Sequence, residues 1–370
     1  MRPSPAHLLP MPSDDRPLRV LHWPTDVGGH PSDLAQAERA VGLDSTVAVI
    51  SRGPFGYPVD IDLNLGSASR VRRLAGRARM LLRASRSYDV VHLNFGQAFL
   101  PMLGPLGMDL PLLRAAGVRI FATFQGCDAR LPSRCPLCCH GGGPCGLDQV
   151  KPRIRIARFV RRWSARTFAL NPDLLDTVPD AIFLPYTRVD PRRVEPRFSK
   201  PHTGPVRVAH APTNRKIKGT EAVLNAVRRL GSKVELDLIE GVSNAETIRR
   251  LAQADVVIDQ LRLGWYGALS VEAMALGKPV ISRIDAGQAH RIPGEMFAEL
   301  PIIAAEQESL SDVLAHLVAG GFGPLHERGQ HSRAFVERWH DPIAIAGWLS
   351  RVYRRPEIAN SGFAPDLARD

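Results

Sequence analysis

A chain of 370 residues is longer than a single hydrophobic core ordinarily fills, so two domains are expected. With 44% apolar and 23% charged residues the balance is that of a globular protein, and no run approaches the ~20 apolar residues that span a bilayer. The net charge of +11 is concentrated: residues 70–86 carry seven arginines and residues 151–166 six arginines and a lysine, neither segment holding an acid. Residues 1–17, with five prolines and no apolar h-region, are expected to form a disordered tail, and a cytoplasmic location is the expectation.

The first half opens with the apolar run Leu18-Arg-Val-Leu-His22, which stops at Trp23-Pro24; Gly28-Gly29, a helical stretch near 32–41 and a second run at 46–50 follow. Strand, glycine loop, helix, strand is the grammar of a parallel sheet. Further strands are expected at 88–92 and 118–124. Ligand-binding groups in open parallel sheets gather where strands end, which brings His22, Gly28, Gly29, His92, Asn94, Gln125 and Asp128 near one crevice. Val71, Leu74, Ala75, Ala78 and Leu82 recur at helical spacing, so residues 70–86 predict an amphipathic helix with a basic face. Such a face suits water, an anionic acceptor or the inner surface of a membrane. Nucleic acid is not expected as a partner, because no nucleic-acid motif is present and aromatic residues in the two basic runs are limited to Phe159 and Trp163. Asp60-Ile-Asp62 has the spacing of a metal-binding acid pair but lies among alternating apolar residues, where a structural role is the expectation.

All five cysteines fall between Cys127 and Cys145. Cys135 and Cys138 have the spacing of zinc ligands, and the Gly141-Gly142-Gly143 run lets Cys145 fold back as a third; Cys139, His140 and Cys127 compete for the fourth place in a structural zinc site. Disulfides and buried reduced thiols are the other readings of the cluster.

Residues 197–205 read as a linker between a first domain over 18–196 and a second over 206–340. The second half restarts with a strand at 206–210, a polar loop at 211–219 and a helix at 220–230, then strands at 234–239, 255–258, 279–282 and 300–303. Helices at 310–317 and 343–353 close the chain, the last within a segment, 341–370, expected to pack back towards the N-terminal domain. Neither half carries Gly-x-Gly-x-x-Gly after its first strand, which argues against a dinucleotide oxidoreductase.

The stretch Ala254-Asp-Val-Val-Ile-Asp-Gln260, continued by Gly264-Trp-Tyr-Gly-Ala-Leu-Ser-Val-Glu272 and then Ala-Met-Ala-Leu-Gly277-Lys-Pro-Val-Ile281, resembles the donor-site signature of the retaining family-4 (group 1) glycosyltransferases. Upstream, His210-Ala-Pro-Thr-Asn-Arg215-Lys-Ile-Lys218-Gly-Thr220 is similar to that family's diphosphate-neutralising loop, and Gln125-Gly-Cys-Asp128 stands where it often has His-Gly-x-Asp at the sugar end of the cleft. The resemblance implies a GT-B fold: two Rossmann-like, doubly wound parallel-sheet α/β domains facing a central cleft. It also implies transfer from a nucleotide-sugar donor, UDP- or GDP-linked, to an unidentified acceptor with retention at the anomeric carbon.

The chemistry of these residues agrees with that implication. Arg215 and Lys218 suit phosphate oxygens, and Gly267-Ala268-Leu269 feeding a helix presents N–H groups and a positive dipole end to a diphosphate. Glu272 is expected to accept from ribose hydroxyls, while Gln125, Asp128 and Lys218 are the expected catalytic groups and Gly28, Gly29, His92 and Asn94 the acceptor side. With the diphosphate held by protein cations and N–H groups, catalysis is expected to need no metal. Two departures stand out: Gly264, eight positions before Glu272, replaces the first acid of the family's pair, and Gln125 replaces a histidine. They motivate one alternative, a non-catalytic nucleotide-sugar-binding homologue; a nucleotide-sugar epimerase or phosphorylase of the same architecture is a second.

Overall fold

A computed structural model describes residues 16–100, 108–135 and 146–365. The chain forms two compact units: one holds the described residues up to Leu131, 146–187 and Pro342 to 365, the other 132–135 and Arg188–Asp341. The chain thus passes between units at Thr187/Arg188, ahead of the segment expected as the linker.

In the first unit, strands β1 (Arg19–Trp23), β2 (Asp44–Val49), β3 (Ile61–Asp62), β4 (Val90–Asn94), β5 (Arg119–Phe124), β6 (Arg166–Ala169) and β7 (Ile182–Phe183) form a parallel sheet in the order β3-β2-β1-β4-β5-β6-β7. Every residue of β4 and β5 is buried, the pattern of central parallel strands covered on both faces. Helices α1 (His30–Ala40), α2 (Arg70–Ser87), α3 (Asp109–Ala115) and α4 (Gly146–Trp163) lie between the strands in sequence. One expectation is inverted in α2. Its buried residues are Arg77, Met80 and Ala84, whereas Val71, Leu74 and Leu82 of the apolar stripe are exposed at 78%, 38% and 49%.

The second unit repeats the plan. Strands β8 (Val206–His210), β9 (Val234–Leu238), β10 (Val256–Ile258), β11 (Val280–Ser282) and β12 (Ile303–Ala304) form a parallel sheet ordered β12-β11-β10-β8-β9. Its helices are α5 (Arg215–Lys218), α6 (Thr220–Leu230), α7 (Asn244–Leu251), α8 (Ala268–Ala275), α9 (Gly294–Ala298), α10 (Leu310–Gly320) and α11 (Phe322–Trp339). Val208, Val223, Ile258, Ile281, Leu310 and Leu314 meet in its core. Strand order reverses between β8 and β10, and ligands of open α/β sheets bind at the carboxyl ends of strands at such a reversal. Register puts His210 opposite Ile258, so the loops after these two residues begin side by side.

Helix α12 (Pro342–Arg354) then returns to the first unit, burying Ile345, Trp348, Leu349, Val352 and Tyr353 with Leu18, Leu34, Phe121 and Phe168. Each such side chain contributes ~1.5–3 kcal/mol by leaving water. The helix is part of this core.

Candidate functional site

In the second unit the reversal point holds a charged cluster. Asn214 caps α5 by accepting from Ile217 N at 3.1 Å, and Gly219 ends it in the left-handed conformation at φ 78°. That turn directs Lys218 towards β10: its Nζ donates to Asp259 Oδ1 at 2.5 Å and to Gln260 Oε1 at 3.2 Å. Asp259, fully buried, also accepts through Oδ2 from Gly267 N at 2.8 Å and Ser270 Oγ at 2.7 Å. Burial alone would raise this carboxyl; the Lys218 charge, with the Ser270 and Gly267 donors, outweighs it and holds the carboxyl below its ordinary value.

The ammonium is therefore fixed beside the start of α8. A Cβ on Gly267 would stand 3.2 Å from Asp259 Oδ2 and 3.4 Å from Lys218 Nζ, so a side chain there would crowd the ion pair. Ala268 and Leu269, half-buried, are the first residues of α8, and their N–H groups have no helical carbonyl to bind. One of the three Lys218 donors also remains. Arg215, Lys216, Lys218 and Arg262, whose Nη1 donates to Lys216 O at 3.2 Å, outnumber Asp259 and Glu240, so the loop is net positive. An anion with several oxygens suits this arrangement.

The other residues expected on the donor side are placed less simply. Arg215 is half-exposed and turns its fork onto Glu240, Nε to Oε1 at 2.9 Å, an exposed pair of the kind worth little net energy. Glu272 is buried in α8, and its Oε1 meets Arg188 Nη2 at 2.6 Å and Asn244 Nδ2 at 2.8 Å. A carboxylate has about four lone-pair sites, so acceptor capacity for hydroxyls remains. Gly264 has no room for a side chain: a Cβ there would lie 2.7 Å from Asp285 Cβ, and Asp285 N donates to Gly264 O at 2.9 Å. The carboxylate of Asp285, one-third exposed, thus stands beside the position where the sequence lacks one. Arg188, Asn244, Asp259, Gln260 and Asp285 were all missed as site residues. Only Asp259-Gln260 carried a signal, as the polar pair ending a strand.

In the first unit, Gln125 and Asp128 share the turn after β5. Asp128 accepts from Gln125 N at 3.1 Å and Gly126 N at 2.6 Å. Burial pushes its carboxyl up to about 6, the Gly126 and Gln125 donors and the Arg130 charge opposing without prevailing. Gln125 Nε2 donates to Asn94 Oδ1 at 3.2 Å; Asn94 Nδ2 in turn lies 3.4 Å from His22 Nδ1, and His22 Nε2 lies 2.8 Å from Glu38 Oε2. Because the carboxylate accepts, His22 donates from Nε2, Asn94 donates to its Nδ1, and the Gln125 amide must present N–H inward. Gln125 Oε1 is left buried and without a hydrogen-bond partner among the described residues.

His92 and Asn94, expected on the acceptor side, are wholly buried and offer no side-chain surface to an acceptor. Tyr353 OH donates to Glu38 Oε1 at 2.7 Å, so His92 Nδ1, 2.7 Å from the same oxygen, is the donor in that contact, and Nε2 accepts from Thr123 Oγ1 at 2.7 Å. Burial, with His22 and His30 nearby, drives His92 well below the ordinary histidine value, consistent with this neutral ring. These residues brace Gln125 and fasten α12. Gly28 and Gly29 form a tight turn, φ 64° and 73°, that opens α1. Asp60 accepts from Val47 N at 2.7 Å and Asp62 from Asn64 N at 2.8 Å, structural uses for both acids. Cys135 is a buried thiol and Cys127 a half-buried one; Cys138 and Cys145 lie outside the described residues. Among the described residues no group of three His, Cys, Asp or Glu side chains is arranged to hold a metal, and no helix is long and apolar enough to cross a membrane.

No protein-family model matches the chain, and no curated protein matches it. Solved structures do. Sucrose-phosphate synthase from Thermosynechococcus elongatus superposes with a TM-score of 0.64 at 14% identity, over 92% of this chain and 100% of that one. HepE of Anabaena, in complex with UDP and glucose, gives 0.62 at 13% identity, over 91% and 100%. The catalytic domain of starch synthase IV from Arabidopsis thaliana, bound to ADP and acarbose, gives 0.60 at 12% identity, over 92% and 99%. Two parallel-sheet α/β domains with these neighbours define the GT-B fold of glycosyltransferases.

Proposed function

We propose that this protein is a glycosyltransferase that takes its sugar from a nucleoside-diphosphate sugar. The observation that carries the reading is the Lys218 ammonium held by Asp259 against the first turn of α8, at the strand-order reversal of the second unit. A diphosphate accepts from Lys218 and from the Ala268 and Leu269 N–H groups, and these donors stabilise the charge that grows on the leaving diphosphate as the glycosidic C–O bond breaks. Glu272, oriented by Arg188 and Asn244, receives the ribose hydroxyls. Asp285 supplies the carboxylate absent at Gly264. The neighbours with UDP and glucose and with ADP support a nucleotide donor, and the resemblance of 254–281 to retaining enzymes supports retention. Because protein cations neutralise the diphosphate, the reaction proceeds without a divalent ion.

Proton NMR of the protein with UDP- and GDP-sugars, in EDTA and with a panel of sugar, lipid and polyphenol acceptors, tests this. The expected result is release of the nucleoside diphosphate and a product with the donor's anomeric configuration. An epimerised donor with no diphosphate released would make the chain an epimerase; no turnover of a bound donor would make it a non-catalytic binder.

A further inference from the structure

Helix α2 is built upside down for a helix whose only task is to cover the sheet. Its inward residues include Arg77, whose Nη1 is spent on Phe99 O at 3.0 Å, while Val71, Leu74 and Leu82 face solvent at 78%, 38% and 49% exposure. Ala75 and Ala78, also exposed, complete an outward apolar stripe along a helix of 18 residues. Beside that stripe the helix and the edge strand β3 enclose a groove of about 370 Å³, floored by Leu63, Leu65 and Met80 and rimmed by Arg72, Arg79 and Arg83. The three arginines follow one another at seven and four residues, which sets them along one side of the helix.

None of these three guanidinium groups has an ion-pair partner among the described residues; the neighbouring acids, Asp60 just before β3 and Asp62 within it, pair with Arg39 at 3.3 Å and Arg52 at 3.7 Å. Helix α2 itself contains no acid. An apolar stripe, a half-apolar groove and a row of unpaired cations lie side by side on one surface. Water alone solvates the arginines but leaves the aliphatic side chains exposed, whereas a soluble anion satisfies the arginines and leaves the stripe unused. An anionic lipid surface satisfies both.

We propose that α2 docks flat on a membrane surface rich in anionic lipid, with the groove seating the phosphate of one headgroup between Arg72, Arg79 and Arg83. The stripe Val71, Leu74 and Leu82 then rests at the boundary of the acyl chains, the disposition of an interfacial amphipathic helix. The test uses the full chain and co-sedimentation with vesicles of phosphatidylcholine alone and of a roughly 70:30 mixture with phosphatidylglycerol, an anionic surface on which each arginine contributes about fivefold to binding.

The expected result is binding to the mixture and not to phosphatidylcholine. Arg72→Gln/Arg79→Gln/Arg83→Gln should lower partitioning about a hundredfold, and Val71→Ser/Leu74→Ser/Leu82→Ser should lower it separately. All six side chains are at the surface, and unchanged thermal unfolding confirms that the variants are folded. Equal binding to both vesicle types, binding to neither, or undiminished binding by the arginine variant overturns the proposal. A fourth arm uses inorganic phosphate and glycerol phosphate: stabilisation by these through the same arginines, without vesicle binding, would make the groove a seat for a soluble phosphate instead.

Discussion

Replacing Lys218 by methionine keeps the aliphatic stem and removes the ammonium, so it perturbs two things that the structure couples. The first is the ligand. A charge-assisted hydrogen bond contributes ~1.5–3 kcal/mol, so nucleotide-sugar affinity should fall about ten- to a hundredfold. The second is the fold. Lys218 is 12% exposed and Asp259 not at all, and removing one member of a buried pair costs ~3–5 kcal/mol. The lower end applies, because Asp259 Oδ2 keeps its donors at Gly267 N and Ser270 Oγ.

The pH dependence follows from the sign of the shift. In the native protein the Asp259 carboxyl is depressed, so the pair stabilises above the unfolded value of 3.8 and that stability is lost as pH falls through the folded pKa. Without the ammonium, burial acts with less opposition and the carboxyl rises, so the variant's deficit should be largest at neutral pH and shrink towards acid. Lys218→Met/Asp259→Asn removes the stranded charge and should recover much of the stability while nucleotide binding stays weak. Urea unfolding at several pH values and calorimetric titration with the nucleoside diphosphate read the two effects apart. Unchanged nucleotide affinity in a folded Lys218→Met protein would show that Lys218 does not hold the diphosphate.

Other consequences are as direct. The Asp128 carboxyl, raised to about 6 in the folded state, makes stability fall as pH rises from about 4 to 6, and Asp128→Asn should flatten that part of the curve in denaturant titrations. If its charge state governs turnover, the same variant abolishes a limb near pH 6 in the kcat/KM profile, and a limb that persists would assign it to another group. Tyr353→Phe strands Glu38 Oε1 and His92 Nδ1, and should cost ~1–3 kcal/mol in chemical unfolding with α12 the first element to exchange its amides. The cysteine cluster is proposed to bind structural zinc: elemental analysis of protein purified under reducing conditions without a metal-affinity tag should find about one equivalent, and less than ~0.1 with all thiols reactive would discard the site.

Much of the architecture was legible because parallel strands write themselves as short apolar runs ending in polar residues. The runs at 206–210, 234–239 and 279–282 became β8, β9 and β11 almost residue for residue. Short edge strands such as β7 and β12 carry too few residues for period to matter, and α11 was missed because Gly323, Pro324 and Gly329 interrupt its pattern. Gly329 is there for packing: a Cβ would meet Gly277 O at 2.2 Å, so the helix needs glycine to lie against that turn. The direction of α2 was illegible for a different reason. Helical spacing says that five apolar residues share a face, and says nothing about whether that face meets the sheet or the solvent.

The site was half legible. Lys218 and Gly267 stood in recognisable loops, but their partner Asp259 is identified by geometry, since a buried carboxylate between them is implied by neither loop alone. Likewise Arg188 reaches Glu272 from a distant part of the sequence, and Asp285 stands beside Gly264 only because their backbones touch. His92 and Asn94 end a strand as binding residues do, yet α12 and the Glu38 network enclose them, a tertiary fact without a local trace.

The central claim, that the second unit holds a nucleoside-diphosphate sugar without a metal, is tested most directly by calorimetric and thermal-shift titration of the wild-type protein in EDTA with UDP-, GDP-, dTDP- and ADP-sugars. One base class should bind and, at about a hundred times its dissociation constant, stabilise the fold by ~2.7 kcal/mol, with Lys218→Met/Asp259→Asn losing most of the effect. No binding by any of the four, or binding that the double variant retains in full, would contradict it.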